Sequence, residues 1–252
     1  GATLSGTLSD SVGTGSLTKS GSGSLTLSGA NGYAGSAEVG AGSLVCAGGS
    51  FSVGGQLNVG HYSGSAGALV VSNGAAVAAS LLYVGRIGNG TVTQTGGTVS
   101  SYGSAGSDGW RIGGWTDYTV LERGTGVYNL SGGTLDSGVY NLQIGAAGSG
   151  ALNQSGGTVN CGGWPVIGRF SGGTGVYTLS GGTFNQTSSG CKLLVGENGT
   201  GTFTVKSSGT ANLTGGLSVS GSGGTGTVNL KPGGAINTPT VTTFDGSRPS
   251  TF

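Results

Sequence analysis

Short runs of alternating apolar and polar residues recur along this chain, and each is broken by a pair of glycines. They read Leu44-Val-Cys-Ala-Gly-Gly-Ser-Phe51, Val92-Thr-Gln-Thr-Gly-Gly-Thr-Val99, Tyr128-Asn-Leu-Ser-Gly-Gly-Thr-Leu135, Leu152-Asn-Gln-Ser-Gly-Gly-Thr-Val159 and Tyr177-Thr-Leu-Ser-Gly-Gly-Thr-Phe184. Period-two alternation turns one face inward, as in a half-buried strand. The doublet supplies a sharp corner, because glycine reaches positive φ at no steric cost. A second pattern follows: a short apolar strand ending in glycine, as in Leu57–Gly60, Leu82–Gly85, Leu142–Gly145 and Leu194–Gly196. Gly/Ser/Asn-rich turns come next, such as Arg86–Gly90. No stripe of helical period is present.

Two or three short strands with tight corners, repeated in register, predict an all-β fold. The expected architecture is a parallel β-solenoid (β-helix) of about nine or ten coils with a repeat near 25 residues. Coils stack at roughly 4.8 Å, so that like residues form ladders. Val, Leu and Phe ladders should fill the inside, and Thr, Ser and Asn ladders should cover the outside. A propeller blade would need a longer repeat, and a sandwich would not repeat its sequence. Residues 1–252 read as one solenoid domain, with distinct N-terminal coils over 1–44 and an extended tail over 236–252.

The period breaks once. Between the doublets Gly96-Gly97 and Gly132-Gly133 the spacing stretches to about 36 residues, which marks an insertion over 101–126. It holds Trp110, Arg111, Trp115, Tyr118 and Arg123, with Asp108, Asp117 and Glu122 among them. Insertions in a solenoid become loops on one face, often the working face. The five named aromatic and arginine residues are therefore candidate contacts for a glycan or a protein partner. The plainer alternative is a longer coil whose aromatics cap the core and whose charges are solvated.

Composition narrows the classes. Of 252 residues, 61 are glycine, 34% are hydrophobic and only 7% are charged, with a formal net charge of +1. Apolar residues at fixed offsets argue against disorder. The nine Lys and Arg residues form no basic run, which removes the footprint of a nucleic-acid binder. No stretch is long and apolar enough for a membrane-spanning helix. The lack of Met and the start at Gly1-Ala2-Thr3 predict a mature segment whose targeting signal has been removed.

Of the three cysteines, Cys46 reads as a core filler. Cys161 and Cys191 lie about one repeat apart and are either fillers or a candidate disulfide. No CxxC pair, calcium nonapeptide or complete phosphate loop is present, so no metal or cofactor is expected. Eight acidic residues leave little for a catalytic carboxylate pair. Asp108, Asp117 and Glu122 are the nearest approach to one, and His61 reads as a solvated turn residue. The expectation is that the chain is not an enzyme. A threonine face for ordering water is also unsupported, since the alternation of Thr91, Thr93 and Thr95 does not persist across coils.

The stretch Gly15–Leu44 carries Leu17-Thr-Lys19, Leu25-Thr-Leu-Ser-Gly-Ala-Asn31, Tyr33-Ala-Gly35 and Ala41-Gly-Ser-Leu44. It resembles the autotransporter-associated β-strand repeat. The later repeats resemble related Gly-rich solenoid repeats of secreted bacterial surface proteins. That resemblance implies β-solenoid passengers, exported and displayed outside the cell. Both ends of the chain read as extended and uncapped, and head-to-tail contact between such ends generates filaments. The leading expectation is thus a secreted structural protein that stacks with copies of itself, or exchanges strands with them, into an extracellular fibre. The alternative is an adhesin-like passenger that binds glycans or surfaces through the 101–126 insertion. A carbohydrate-active enzyme is the second alternative.

Overall fold

The computed structural model describes residues 1–10, 13–101, 109–117, 119–221, 223–243 and 250–251, the last two by their backbone only. Among these residues there is no helix; strands and turns make up the whole. The chain is an all-β parallel solenoid of about nine turns with a repeat of about 25 residues, as its periodicity predicts. Each coil contributes three short strands to three stacked ladders. The first ladder holds eleven strands, among them Asn89–Gln94, Thr125–Leu130, Ser149–Gln154 and Thr174–Leu179. The second follows each glycine doublet, as in Thr134–Asp136, Thr158–Cys161 and Thr183–Gln186. The third carries Trp110–Ile112, Leu142–Ile144, Pro165–Ile167 and Leu193–Val195. Every pairing within the ladders is parallel. In two coils, Ser50–Val59 and Ala76–Val84, the second and third strands run on without a break.

Like residues stack as the alternation requires. Leu69, Val92, Tyr128, Leu152, Tyr177 and Phe203 are successive rungs of one inward column, each buried. On the second face, Asn185, Asn212 and Asn237 each donate a side-chain hydrogen bond to the asparagine below, at 2.8–3.0 Å. Such a ladder satisfies each amide with its own copy.

Two apolar slots of the first ladder hold glutamine instead. The Gln94 carboxamide is buried, donates to the carbonyls of Gly97 and Thr134, and accepts the hydroxyl of Tyr128 at 2.6 Å. Gln154 repeats the arrangement with Gly157, Thr183 and the Tyr177 hydroxyl. Coils that carry Gln therefore precede coils that carry Tyr. A buried amide left unpaired would cost about 1–3 kcal/mol, so this partnership fixes which coil follows which.

The corners are as tight as the glycines allow. Gly85 closes the third strand with φ 68°, and a Cβ there would lie 1.9 Å from the Thr125 carbonyl oxygen. The equivalent corner at the far end is Ser220, also at positive φ, whose Oγ accepts the N–H of Gly226 at 3.0 Å.

The N-terminal coils are shorter. Leu17 registers with Ala37, and Ala30 with Ser50. Lys19 ends a third-ladder strand there. It is buried, and its Nζ donates to the carbonyls of Ser20, Gly21 and Ala41 at 2.7–3.0 Å, so its charge is solvated by corner backbone. Within the segment expected as an extended tail, Val241–Thr243 and Ser250–Thr251 continue the ladders.

Two expectations need correction. Trp110 and Arg111 do not belong to a protruding insertion. They form a regular rung, in register with Leu142 and Gln143, and each is only 1% exposed. The extra chain falls on either side of that rung. The later part, after Ile112, forms an antiparallel hairpin of Trp115–Thr116 with Leu121–Glu122. The Cys161–Cys191 disulfide is also absent: all three cysteines are free. The partner of Cys161 one rung on is Gln186, and Cys191 falls further along in the turn. Cys161 is fully buried, with its thiol against the Tyr140 carbonyl at 3.7 Å.

Candidate functional site: the third face

The outward positions of the third ladder keep to Thr, Ser and Asn only at the two ends and at Asn58. In register they read Thr18, Glu38, Asn58, Tyr83, Arg111, Gln143, Val166, Leu194, Ser218 and Thr242. From Asn58 to Val166 each is at most 4% exposed, although each points away from the core. The corner turns that follow each strand fold back over them. Those turns bring His61, Arg86, Trp115, Glu122, Arg123, Arg169 and Glu197 to the same side. All three glutamates of the chain, its one histidine and four of its arginines thus meet on one face, from coils far apart in sequence.

Three clusters run along this face. At the N-terminal end, Glu38 Oε2 lies 3.2 Å from His61 Nδ1, and Glu38 Oε1 accepts the His61 backbone N–H at 3.3 Å. The His61 ring stacks on Tyr62, with centroids 4.3 Å apart. Burial pushes the Glu38 carboxyl up to about 7, partly offset by the His61 N–H and by Arg86. Burial also lowers the His61 pKa, with the charge of Arg86 adding to it. Burial thus favours the uncharged form of both groups, the carboxylic acid and the neutral imidazole.

In the middle stands the hairpin. The Arg86 guanidinium lies 4.1 Å from the centroid of the Trp115 ring and is paired with the Glu122 carboxylate. Arg111 approaches the same ring at 5.6 Å and donates to the Thr116 carbonyl at 2.8 Å. Two cations over one indole lock the hairpin onto the rung beneath. Arg123 reaches two coils onward, donating to the carbonyls of Ala147 at 3.1 Å and Ser171 at 3.3 Å. The hairpin leaves Val120 and Leu121 exposed. Asp117 accepts from the Thr119 hydroxyl and from the N–H groups of Val120 and Thr119, which hold its carboxyl down at about 2. That is the signature of a turn-forming acid rather than a proton carrier.

Further along, Trp164 is 47% exposed beside Asn141, Arg169 and Glu197, around a shallow cavity of about 280 Å³. Arg169 Nε sits 3.6 Å from Glu197 Oε2 and its guanidinium packs 4.8 Å from the Phe170 ring centroid. Burial raises the Glu197 pKa against the pull of Arg169.

Of the candidates read from sequence, Trp115 is half-buried under Arg86, Arg123 is exposed, Trp110 lies in the core and Arg111 is buried beneath the hairpin. Tyr118 and Asp108 lie outside the described residues. Sequence reasoning missed Glu38, His61, Tyr62, Trp164, Arg169 and Glu197 as neighbours of the insertion. The available signal was positional: His61, Arg86, Arg169 and Glu197 each directly follow the glycine that ends a third strand, a corner other coils leave to Ala146 or Gly221.

Among the described residues, no three His, Cys, Asp or Glu side chains converge as a metal site, and no helix is long and apolar enough to cross a membrane. No curated protein and no solved structure matches the chain. Residues 17–45, the short coils anchored by Lys19, match the passenger-associated-transport-repeat family.

Proposed function

We propose that this chain is part of a secreted, surface-displayed passenger solenoid that binds an extracellular ligand through its third face. The carrying observation is the segregation of chemistry. Two faces carry mostly Thr, Asn, Ser and small apolar residues, while the third gathers Trp115, Trp164, the three glutamates and four arginines. Exposed aromatic and charged groups held on a rigid scaffold mark contact surfaces. The passenger-type repeat over 17–45 supports export and display. The test is adhesion of the purified rod to immobilised cell-surface glycans and to cultured cells. Trp115→Ala and Trp164→Ala should each reduce adhesion several-fold with the fold intact. Unchanged adhesion in both would remove the reading.

Head-to-tail stacking into a fibre is the second reading. The observation that favours it is the ladder register itself, in which like residues stack coil on coil and a further coil of the same pattern pairs as the others do. Electron micrographs at high protein concentration should then show rods many times longer than one chain.

A further inference from the structure

The groove beside the Glu38–His61 pair has the features of a ligand site of its own. It has a volume of about 250 Å³ and is lined by Thr18, Glu38, Gln56, Asn58, His61 and Tyr62, among others. That suits one ring-sized molecule, slightly below the roughly 300–1,000 Å³ of drug-sized pockets. Asn58 is 4% exposed, and its Oδ1 has no hydrogen-bond partner. Glu38 Oε2 is likewise buried, with the His61 imidazole beside it but no hydrogen bond of good geometry. Buried acceptors of this kind are costly unless something donates to them. Over the same groove, Tyr62 is 60% exposed, its ring held flat against His61 with an interplanar angle of 17°.

An occupant must therefore donate hydrogen bonds at one edge and present an apolar face to an aromatic ring. An anion would meet two acceptors and be repelled. A cation would meet Arg86, which occupies the next rung, its backbone N–H donating to the Gly60 carbonyl at 3.1 Å. A neutral sugar ring carries hydroxyl donors on its rim and C–H groups on its face, and satisfies both demands.

We propose that the groove of Glu38, Asn58, His61 and Tyr62 is a subsite for one neutral sugar residue. It deepens the reading of the third face as a binding surface by naming one site and its ligand class, well before the hairpin in the chain. The Asn58 carboxamide and the Glu38 carboxyl take sugar hydroxyls, and the Tyr62 ring takes the C–H face.

The experiment is ligand-observed saturation-transfer NMR on the whole chain. The probes are methyl glycosides of the common hexoses and N-acetylhexosamines, with methylammonium and phosphate as competitors. At least one glycoside should receive transfer. Tyr62→Ala, a change at an exposed ring, and Asn58→Ala should each weaken that binding about tenfold or more. The circular dichroism of Tyr62→Ala should be unchanged, and Asn185→Ala on the second face should have no effect. Absence of transfer from every glycoside would overturn the proposal. So would displacement by methylammonium or phosphate, or binding that ignores Tyr62→Ala. Loss of glycoside binding in Trp115→Ala alone would refute this groove and leave the third-face reading standing.

Discussion

The second and third faces of this solenoid solve one problem in opposite ways. On the second face, Asn160, Asn185, Asn212 and Asn237 differ in rung but not in kind, and each amide is satisfied by its copy. On the third, no two neighbouring outward residues between Glu38 and Val166 are alike, and the turns that cover them pair with one another across one or two coils. Arg86 pairs with Glu122, and Arg123 reaches Ser171. A self-satisfied ladder serves stacking alone. A face whose groups need long-range partners is organised around particular residues, and in a repeat protein that departure from repetition is where recognition is built.

The comparison can be broken at several depths. The corners common to all faces come first. Gly85→Ala forces an L-residue into positive φ and a Cβ into the Thr125 carbonyl, and should cost roughly 3 kcal/mol or more, read as lost soluble yield and a lower urea midpoint. Next is the buried Gln–Tyr partnership that fixes coil order. Tyr177→Phe leaves the Gln154 acceptor unpaired and should cost about 1–3 kcal/mol, whereas adding Gln154→Leu should recover most of it. A double variant as unstable as the single one would refute that account.

Smaller effects separate the faces. Asn185→Ala interrupts the second-face ladder and should cost less than about 1 kcal/mol while leaving ligand binding intact. Trp115→Ala removes the ring under Arg86 and should likewise lower stability by no more than about 1–2 kcal/mol, yet reduce binding.

The smallest effect is in pH. The folded pKa of Glu38, near 7, exceeds its ordinary value of 4.5, so the fold favours the protonated acid. Its contribution to stability is full below about 4.5 and is lost as pH rises through 7. The groups facing it are His61 and Arg86. The lowered His61 pKa acts in the opposite sense, its contribution being lost as pH falls below 6.5. Glu38→Gln should flatten the decline between those values, measured as melting temperature against pH. An unchanged slope would refute the assignment.

Much of the fold is legible in the sequence because glycine corners and alternating apolar residues are local signals. The doublets place the corners, and Leu152, Phe184 and their kin place the core. Gln94 and Gln154 look like errors in that pattern, since their meaning depends on a tyrosine one coil on. The site is less legible for the same reason. The stretched spacing flagged 101–126, but Trp110 and Arg111 look inserted only until register shows them to be a normal rung. Glu38 and His61 become partners only when two coils stack, and neither signals this locally. The cysteines mislead likewise, since turn lengths set Cys161 against Gln186 rather than Cys191.

The most direct test of the claim that one face carries recognition is a three-way comparison. Binding of the rod to immobilised cell-surface glycans would be measured by surface plasmon resonance for Asn153→Ala on the first face, Asn185→Ala on the second and Trp115→Ala on the third. The account predicts wild-type binding for the first two and a several-fold loss for the third at unchanged fold. Equal losses on all faces, or a loss confined to an asparagine ladder, would contradict it.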